Sequence, residues 1–265
     1  MDIARVSALQ ERYQRRLPSL DRTISEVDDL FFKSGSWDAY RRFGASSVDV
    51  ILQALVLSNL QEARTVLDFG CGYGRNARHL RLLFPDATLL FSDIDEDAWT
   101  FCARQFPRAE GFRSHEDFAQ VDLPRDIDVI FVGSLFTHLD WNRSQALWAR
   151  LFGALAPNGC FIPTFHGASC YRRMVDKPQW FNPRGYYDPM IRDYLETGFG
   201  YQIYKHFTSW GQNLSSIARV TELGAGPEAD AAQLVGYKEA GWADIQDVAI
   251  WTRRASRPTL APTPS

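Results

Sequence analysis

No run of about 18 apolar residues occurs anywhere in this chain, so the sequence offers no membrane-spanning helix. Positive charge is not in excess either. With 29 lysines and arginines against 32 aspartates and glutamates the formal charge is −3, and no overall positive field gathers nucleic acid or an anionic membrane. Cysteine is scarce. Cys71, Cys102, Cys160 and Cys170 form no CxxC pair, the usual spacing of a structural zinc site. Residues 1–20 carry Arg5, Arg12, Arg15 and Arg16 and no apolar stretch resembling a secretion signal, so the thiols are expected to be reduced core residues of a cytoplasmic protein. Small molecules are the expected partners, with no nucleic acid and no membrane.

What the chain does have is apolar content for one core, 45% over 265 residues. Helical spacing runs through Val6–Arg16, Thr23–Lys33 and Ser47–Leu60. From Arg64 strands and helices alternate. The strands are Arg64–Phe69, Ala87–Ser92, a weak one near Phe112, Ile127–Val132, Cys160–Phe165 and Ile245–Trp251; the helices are Arg75–Phe84, Asp95–Phe106, Asn142–Ala156 and Ala229–Ala240. Such alternation predicts an α/β fold, a doubly wound and mostly parallel sheet covered on both faces. The expected organisation is a helical cap over 1–63, a core over 64–252 with an insertion at about 167–228, and a disordered Pro/Ser/Thr-rich tail at 253–265.

The insertion is crowded with rings and interrupted by Pro178, Pro183 and Pro189, which reads as a lid with little regular structure. Trp180, Tyr186, Tyr187, Tyr201 and Trp210 stack on a planar or sugar acceptor in one reading. In the other they form the lid's own small core or a homodimer contact.

The segment VLDFGCGYGRN places Gly70, Gly72 and Gly74 directly after a strand and at the opening of a helix, where bare backbone lets a ligand approach. A dinucleotide fingerprint wants Gly or Ala where this chain has Arg75, and no GK[ST] sequence follows, so neither a dinucleotide loop nor a P-loop is indicated. Asp93 follows the second strand, where a carboxylate accepts from ribose hydroxyls. Asp68 would repel a pyrophosphate but suits a cationic amino group; bracing of the loop is its alternative role.

These residues carry a family resemblance. VLDFGCGYGR with SDIDEDA resembles the first two motifs of class I S-adenosylmethionine-dependent methyltransferases, and DVIFVGSLFTHL with LFGALAPNGCFIPTFHG is similar to their fourth and fifth strands. The resemblance implies a seven-stranded Rossmann-like fold with S-adenosylmethionine as cofactor. It implies that Gly70, Gly72 and Gly74 line the methionine part, with Asp68 and Cys71 beside them. Asp93 would hold the ribose, Ile94 and Asp117-Phe118 would flank the adenine, and Gly133 and Ser134 would face cofactor and acceptor.

No carboxylate ends the fourth strand, so no metal is expected; no Pro-Pro-aromatic motif of nucleic-acid base methylation stands there either. His138, just beyond that strand, is the leading candidate base for a hydroxyl acceptor. His166 is the rival, and a lone histidine is often structural. Asp140 orients an imidazole or caps the next helix. The expected activity is methyl transfer to a small molecule, with O-methylation of a sugar, glycosylated or natural-product-like metabolite preferred. N-methylation, transfer of an aminopropyl group and a non-catalytic cofactor-binding subunit are the alternatives.

Overall fold

In the computed structural model, residues 3–226 and 228–254 are described; most of the tail expected to be disordered lies outside them. Three helices lead the chain: α1 (Ile3–Arg16), α2 (Asp29–Ser34) and α3 (Trp37–Ser58). The Asp28 carboxylate accepts from the amides of Leu30 and Phe31, and Ser36 from that of Ala39, so α2 and α3 each start on a side-chain cap. The helix expected over Thr23–Lys33 is therefore shorter and begins at Asp29.

The alternating core follows as β1 (Thr65–Phe69), α4 (Ala77–Leu83), β2 (Thr88–Asp93), α5 (Glu96–Gln105), β3 (Ala109–Arg113), β4 (Ile127–Val132), α6 (Trp141–Phe152) and β5 (Leu155–Phe165). Then come α7 (Ala168–Asp176), α8 (Pro178–Phe181), α9 (Asp188–Thr197), β6 (Phe199–Ile203), β7 (Gly211–Ser215), α10 (Ile217–Leu223), β8 (Ala232–Trp242) and β9 (Gln246–Arg253). Seven strands form one sheet in the order β3-β2-β1-β4-β5-β9-β8. The first five run parallel, whereas β9 and β8 are antiparallel.

Two cores sandwich the sheet. Val48, Ile51 and Leu55 of α3 pack with Leu80, Cys102 and the strand residues Val66, Phe91 and Val129 on one face. Leu147, Trp148 and Leu151 of α6 pack with Val220 and Leu223 of α10 and with Leu67, Ile130 and Phe161 on the other. Thus α3 is a layer of the core, and α10 returns to the core from the insertion.

The helix expected at Ala229–Ala240 is instead the edge strand β8, paired with β9 through a tight turn. Ala243 and Asp244 both adopt positive φ (54° and 57°), and the amide of Ile245 donates to the Trp242 carbonyl at 3.1 Å. That is the two-residue geometry that joins twisted antiparallel strands, built here without the Asn-Gly pair that usually signals it. Gly236 fits the strand, because a Cβ there would come within 2.8 Å of Leu57 Cδ1.

The insertion also has more regular structure than expected. β6 and β7 form a separate hairpin against α9, and Cys170, Met174, Met190 and Leu214 form a small third core. Both ends of the insertion meet, with the amide of Ser215 donating to the His166 carbonyl at 2.9 Å.

Candidate active site

A cavity of about 680 Å³ opens at the carboxyl ends of β1, β2 and β4, in the size range of small-molecule sites. Its floor is the turn from β1 into α4. Gly70, Gly72 and Gly74 all have positive φ (79°, 49° and 79°), a region in which other L-residues are strained. Two roles separate. A Cβ on Gly74 would lie 3.0 Å from Cys102 Sγ and 3.2 Å from Phe106, so this glycine serves packing against α5. The corresponding atom on Gly72 would find nothing nearer than Leu30 Cδ1 at 4.0 Å, and Gly70 and Gly72 line the cavity.

Asp93 ends β2 with its carboxylate in the cavity wall. One oxygen accepts from the Gly72 amide at 2.8 Å and the other from the Asp95 amide at 3.1 Å, so Asp93 also fixes the loop beside it. Burial raises its pKa, and these backbone donors hold it down. Ile94 and Cys71 line the same wall; burial pushes the Cys71 thiol well up, which keeps it protonated.

Asp68 is fully buried and is not among the residues lining the cavity. Neither carboxylate oxygen has a hydrogen-bond partner, and burial pushes its pKa up to about 7. Asp117 caps the short turn Phe118–Gln120 through the Ala119 amide and borders a neighbouring cleft, while the ring of Phe118 faces the main cavity. Gly133 and Ser134 line it as well. Ser134 is held by a relay in which its amide donates to Thr164 Oγ1, Thr164 donates to Gln246 Oε1 and Gln246 Nε2 donates to Ser134 Oγ.

His138 sits in the short turn Phe136–His138 after β4 and lines the cavity. Its Nδ1 is 2.8 Å from the Gly211 carbonyl and 3.2 Å from Tyr204 Oη, and its ring stacks on Trp210 at 4.9 Å and 20°. A carbonyl only accepts, so the tautomer with the proton on Nδ1 satisfies this contact and leaves the Nε2 lone pair free. Burial lowers the pKa of His138, which keeps the imidazole neutral near pH 7.

His166 lies with its ring centroid 6.4 Å from that of His138, is not among the lining residues, and has a pKa driven down to about 3 by burial. Asp140 accepts from the Arg143 amide at 3.0 Å as the cap of α6, while the Gly211 carbonyl takes the orienting place at His138. Among the described residues no group of three or more His, Cys, Asp or Glu is arranged to hold a metal ion.

The remaining walls come from segments that spacing does not flag. Leu30 of α2, Arg75 and Asn76 after the glycines, Leu135, Arg143 of α6 and the hairpin tip 206–210 all line the cavity. Trp37, Tyr40 and Arg42 do not reach it. Of the proposed acceptor wall, Trp210 is the one lining residue among the described side chains. Tyr187 joins the small third core and Tyr186 donates to the Ile203 carbonyl. Tyr201 lies in β6, and the side chain of Trp180 lies outside what is described.

Residues 67–161 match a family model described as a methyltransferase domain. Among solved structures, an S-adenosylmethionine-dependent methyltransferase from Clostridium acetobutylicum superposes with a TM-score of 0.55 at 11% identity, covering 86% of this chain and 97% of its own. Magnesium protoporphyrin IX methyltransferase from Synechocystis, solved with bound S-adenosylhomocysteine, gives 0.54 at 15% identity, covering 93% and 95%. DesVI from Streptomyces venezuelae gives 0.55 at 16%, covering 88% and 100%. At such identities the likeness is one of fold. No curated protein matches the chain.

Proposed function

We propose that this chain is a class I S-adenosylmethionine-dependent methyltransferase that methylates a hydroxyl group of a small molecule with His138 as general base, a reading supported by the match over residues 67–161 and by the seven-stranded sheet. The residues present fit the cofactor. A Cβ on Gly72 would meet only Leu30 Cδ1 at 4.0 Å, Gly70 and Gly72 both line the cavity, and a carboxylate at the end of β2 faces it. Asp93 would hold the ribose hydroxyls, Gly70, Cys71 and Gly72 the amino-acid part, and Ile94 and Phe118 the adenine, with Gly133 and Ser134 on the side of the transferred group. When bound, the cofactor supplies a sulfonium methyl as electrophile and departs as a neutral thioether.

One observation carries the choice of acceptor atom. His138 lines the cavity with Nδ1 committed to the Gly211 carbonyl, which leaves Nε2 as the acceptor of the hydroxyl proton. The side chains otherwise orient the acceptor and exclude water, which is most of what an in-line displacement needs from a protein. The hairpin tip covers the cavity, and the stacked Trp210 fixes the plane of the imidazole. Mixed aromatic and polar walls suit a hydroxylated or glycosylated metabolite.

A screen of hydroxylated and amine acceptors with labelled cofactor tests the reading. Methylation of hydroxyls is expected, and methylation of amines alone would reassign the acceptor. In His138→Ala, kcat is expected to fall about 10²- to 10⁴-fold with the affinity for S-adenosylhomocysteine unchanged. Because only the neutral imidazole accepts a proton and its pKa is lowered, the rate should be flat across neutral pH and decline below the ordinary imidazole range of 6.5. Asp93→Ala should weaken S-adenosylhomocysteine binding about 10- to 100-fold by calorimetry. Unchanged binding would remove Asp93 from the ribose.

A further inference from the structure

Arg75 occupies the position after the third glycine, where a dinucleotide loop has no side chain or a methyl. Its guanidinium carbon lies 4.6 Å from the centroid of Phe43 and 5.5 Å from that of Trp242. Both rings attract the cation without accepting a conventional hydrogen bond from it, which leaves its N–H groups for other partners. The side chain lines the cavity beside Gly70, Gly72 and Asn76. Its Nε is buried without a partner, and among the described residues the guanidinium makes no hydrogen bond or ion pair.

Neither nearby carboxylate bonds to the guanidinium, although both Asp28 and Asp68 attract its charge. Asp28 accepts from the amides of Leu30 and Phe31 at 3.1 Å each and from Tyr40 Oη at 2.6 Å. Asp68 lies buried behind the loop. The next arginine shows the contrast. Arg78 is also buried, and it donates to the carbonyls of Gly74, Asp21, Thr23 and Tyr73. Arg143, at the other end of the cavity, donates to the carbonyls of Ser209 and Glu116. A permanently charged group that is partly buried, with its Nε out of water, and lacks such partners is costly until a counter-charge arrives. A planar carboxylate is the counter-charge that matches its fork.

We propose that Arg75 is a carboxylate-recognition residue, pairing with the α-carboxylate of the cofactor's amino-acid part and selecting against the decarboxylated cofactor on which aminopropyl transfer depends. This rests on the methyltransferase reading and deepens it. The open backbone of Gly70 and Gly72 lies beside the guanidinium, so a ligand whose amino-acid part rests on the loop brings its carboxylate to Arg75. A carboxylate on the acceptor is the other source of the same chemistry.

Calorimetry on the full chain separates the two, using S-adenosylhomocysteine and its decarboxylated analogue S-adenosyl-3-thiopropylamine. Wild type is expected to favour S-adenosylhomocysteine about 10- to 100-fold. In Arg75→Met that preference should vanish through weaker binding of S-adenosylhomocysteine, with the analogue bound as in wild type, which also reports an intact fold. Arg75→Lys should recover part of the preference. S-adenosylhomocysteine binding to Arg75→Met at wild-type strength would overturn the proposal and leave an acceptor carboxylate as the occupant. Equal weakening of both ligands would also overturn it, since a damaged loop does not read a carboxylate. Wild type binding both ligands equally would overturn this inference alone, whereas wild type binding neither would overturn the methyltransferase reading with it.

Discussion

Burial favours the protonated form of the Asp68 carboxyl, with Asn76 and the charge of Arg75 pulling the other way. The Asp68 pKa of about 7 in the fold, against 3.8 for an ordinary aspartate, means that the folded state binds one proton more than the unfolded chain between those values. Stability linked to this group is present below pH 3.8 and is lost as pH rises towards 7. Asp68→Asn removes the ionisation at nearly equal volume. The variant should therefore gain on wild type by about 2 kcal/mol between pH 5 and 7, at about 1.4 kcal/mol per pH unit. Urea melts at both pH values check this, and a constant difference would show that the group titrates normally in the fold. At this scale the sequence was informative where chemistry followed a strand. Gly70, Gly72, Asp93, Ser134 and His138 all reach the cavity from strand ends. It was silent on Leu30 and Arg143 and gave Arg75 no contact with a ligand, because their place depends on how distant segments pack over the loop.

The hairpin of β6 and β7 links the insertion to the chemistry. Arg143 of α6 donates to the Ser209 carbonyl at its tip, Ser209 Oγ lies 3.3 Å from Glu116 Oε2, and the first residue of β7 offers its carbonyl to His138. Arg143→Ala should loosen the tip while leaving the glycine loop untouched. The expected result is a higher KM for the acceptor and faster amide exchange over 204–210, with S-adenosylhomocysteine affinity unaltered. An unchanged KM would show that the tip is held by ring contacts alone. Elements were legible wherever local pattern and tertiary role agreed, as in β1, β2 and β4. They were not legible in β8, where Ala, Leu, Lys and Glu favour a helix and pairing with β9 decides otherwise. Nor were they legible from residue 168 onward, where prolines masked the helices that start beside them.

Across the whole molecule, burial is unevenly shared. The two cores on the sheet hold most of the apolar interior, whereas the insertion's own apolar cluster has four buried side chains, Cys170, Met174, Met190 and Leu214, with partly buried residues around them. Native-state hydrogen exchange in low denaturant should therefore find α9, β6 and β7 opening at a lower free energy than β1 and β4. A single opening free energy across all of them would contradict that division. The insertion leaves after β5 and returns at β7, with Ser215 bonded to His166 across the junction. To the core such a segment is a closed loop, and the entropy of closing a loop grows only slowly with its length. The enclosed segment can thus vary in length at small entropic cost, provided that Ser169 still bonds to the Ile245 carbonyl, Asn213 to those of Phe136 and Leu139, and the Gly211 carbonyl still meets the imidazole. Under the proposed function, the surroundings of the acceptor would then be open to change at the hairpin tip while the loop after β1 and Asp93 stay as they are.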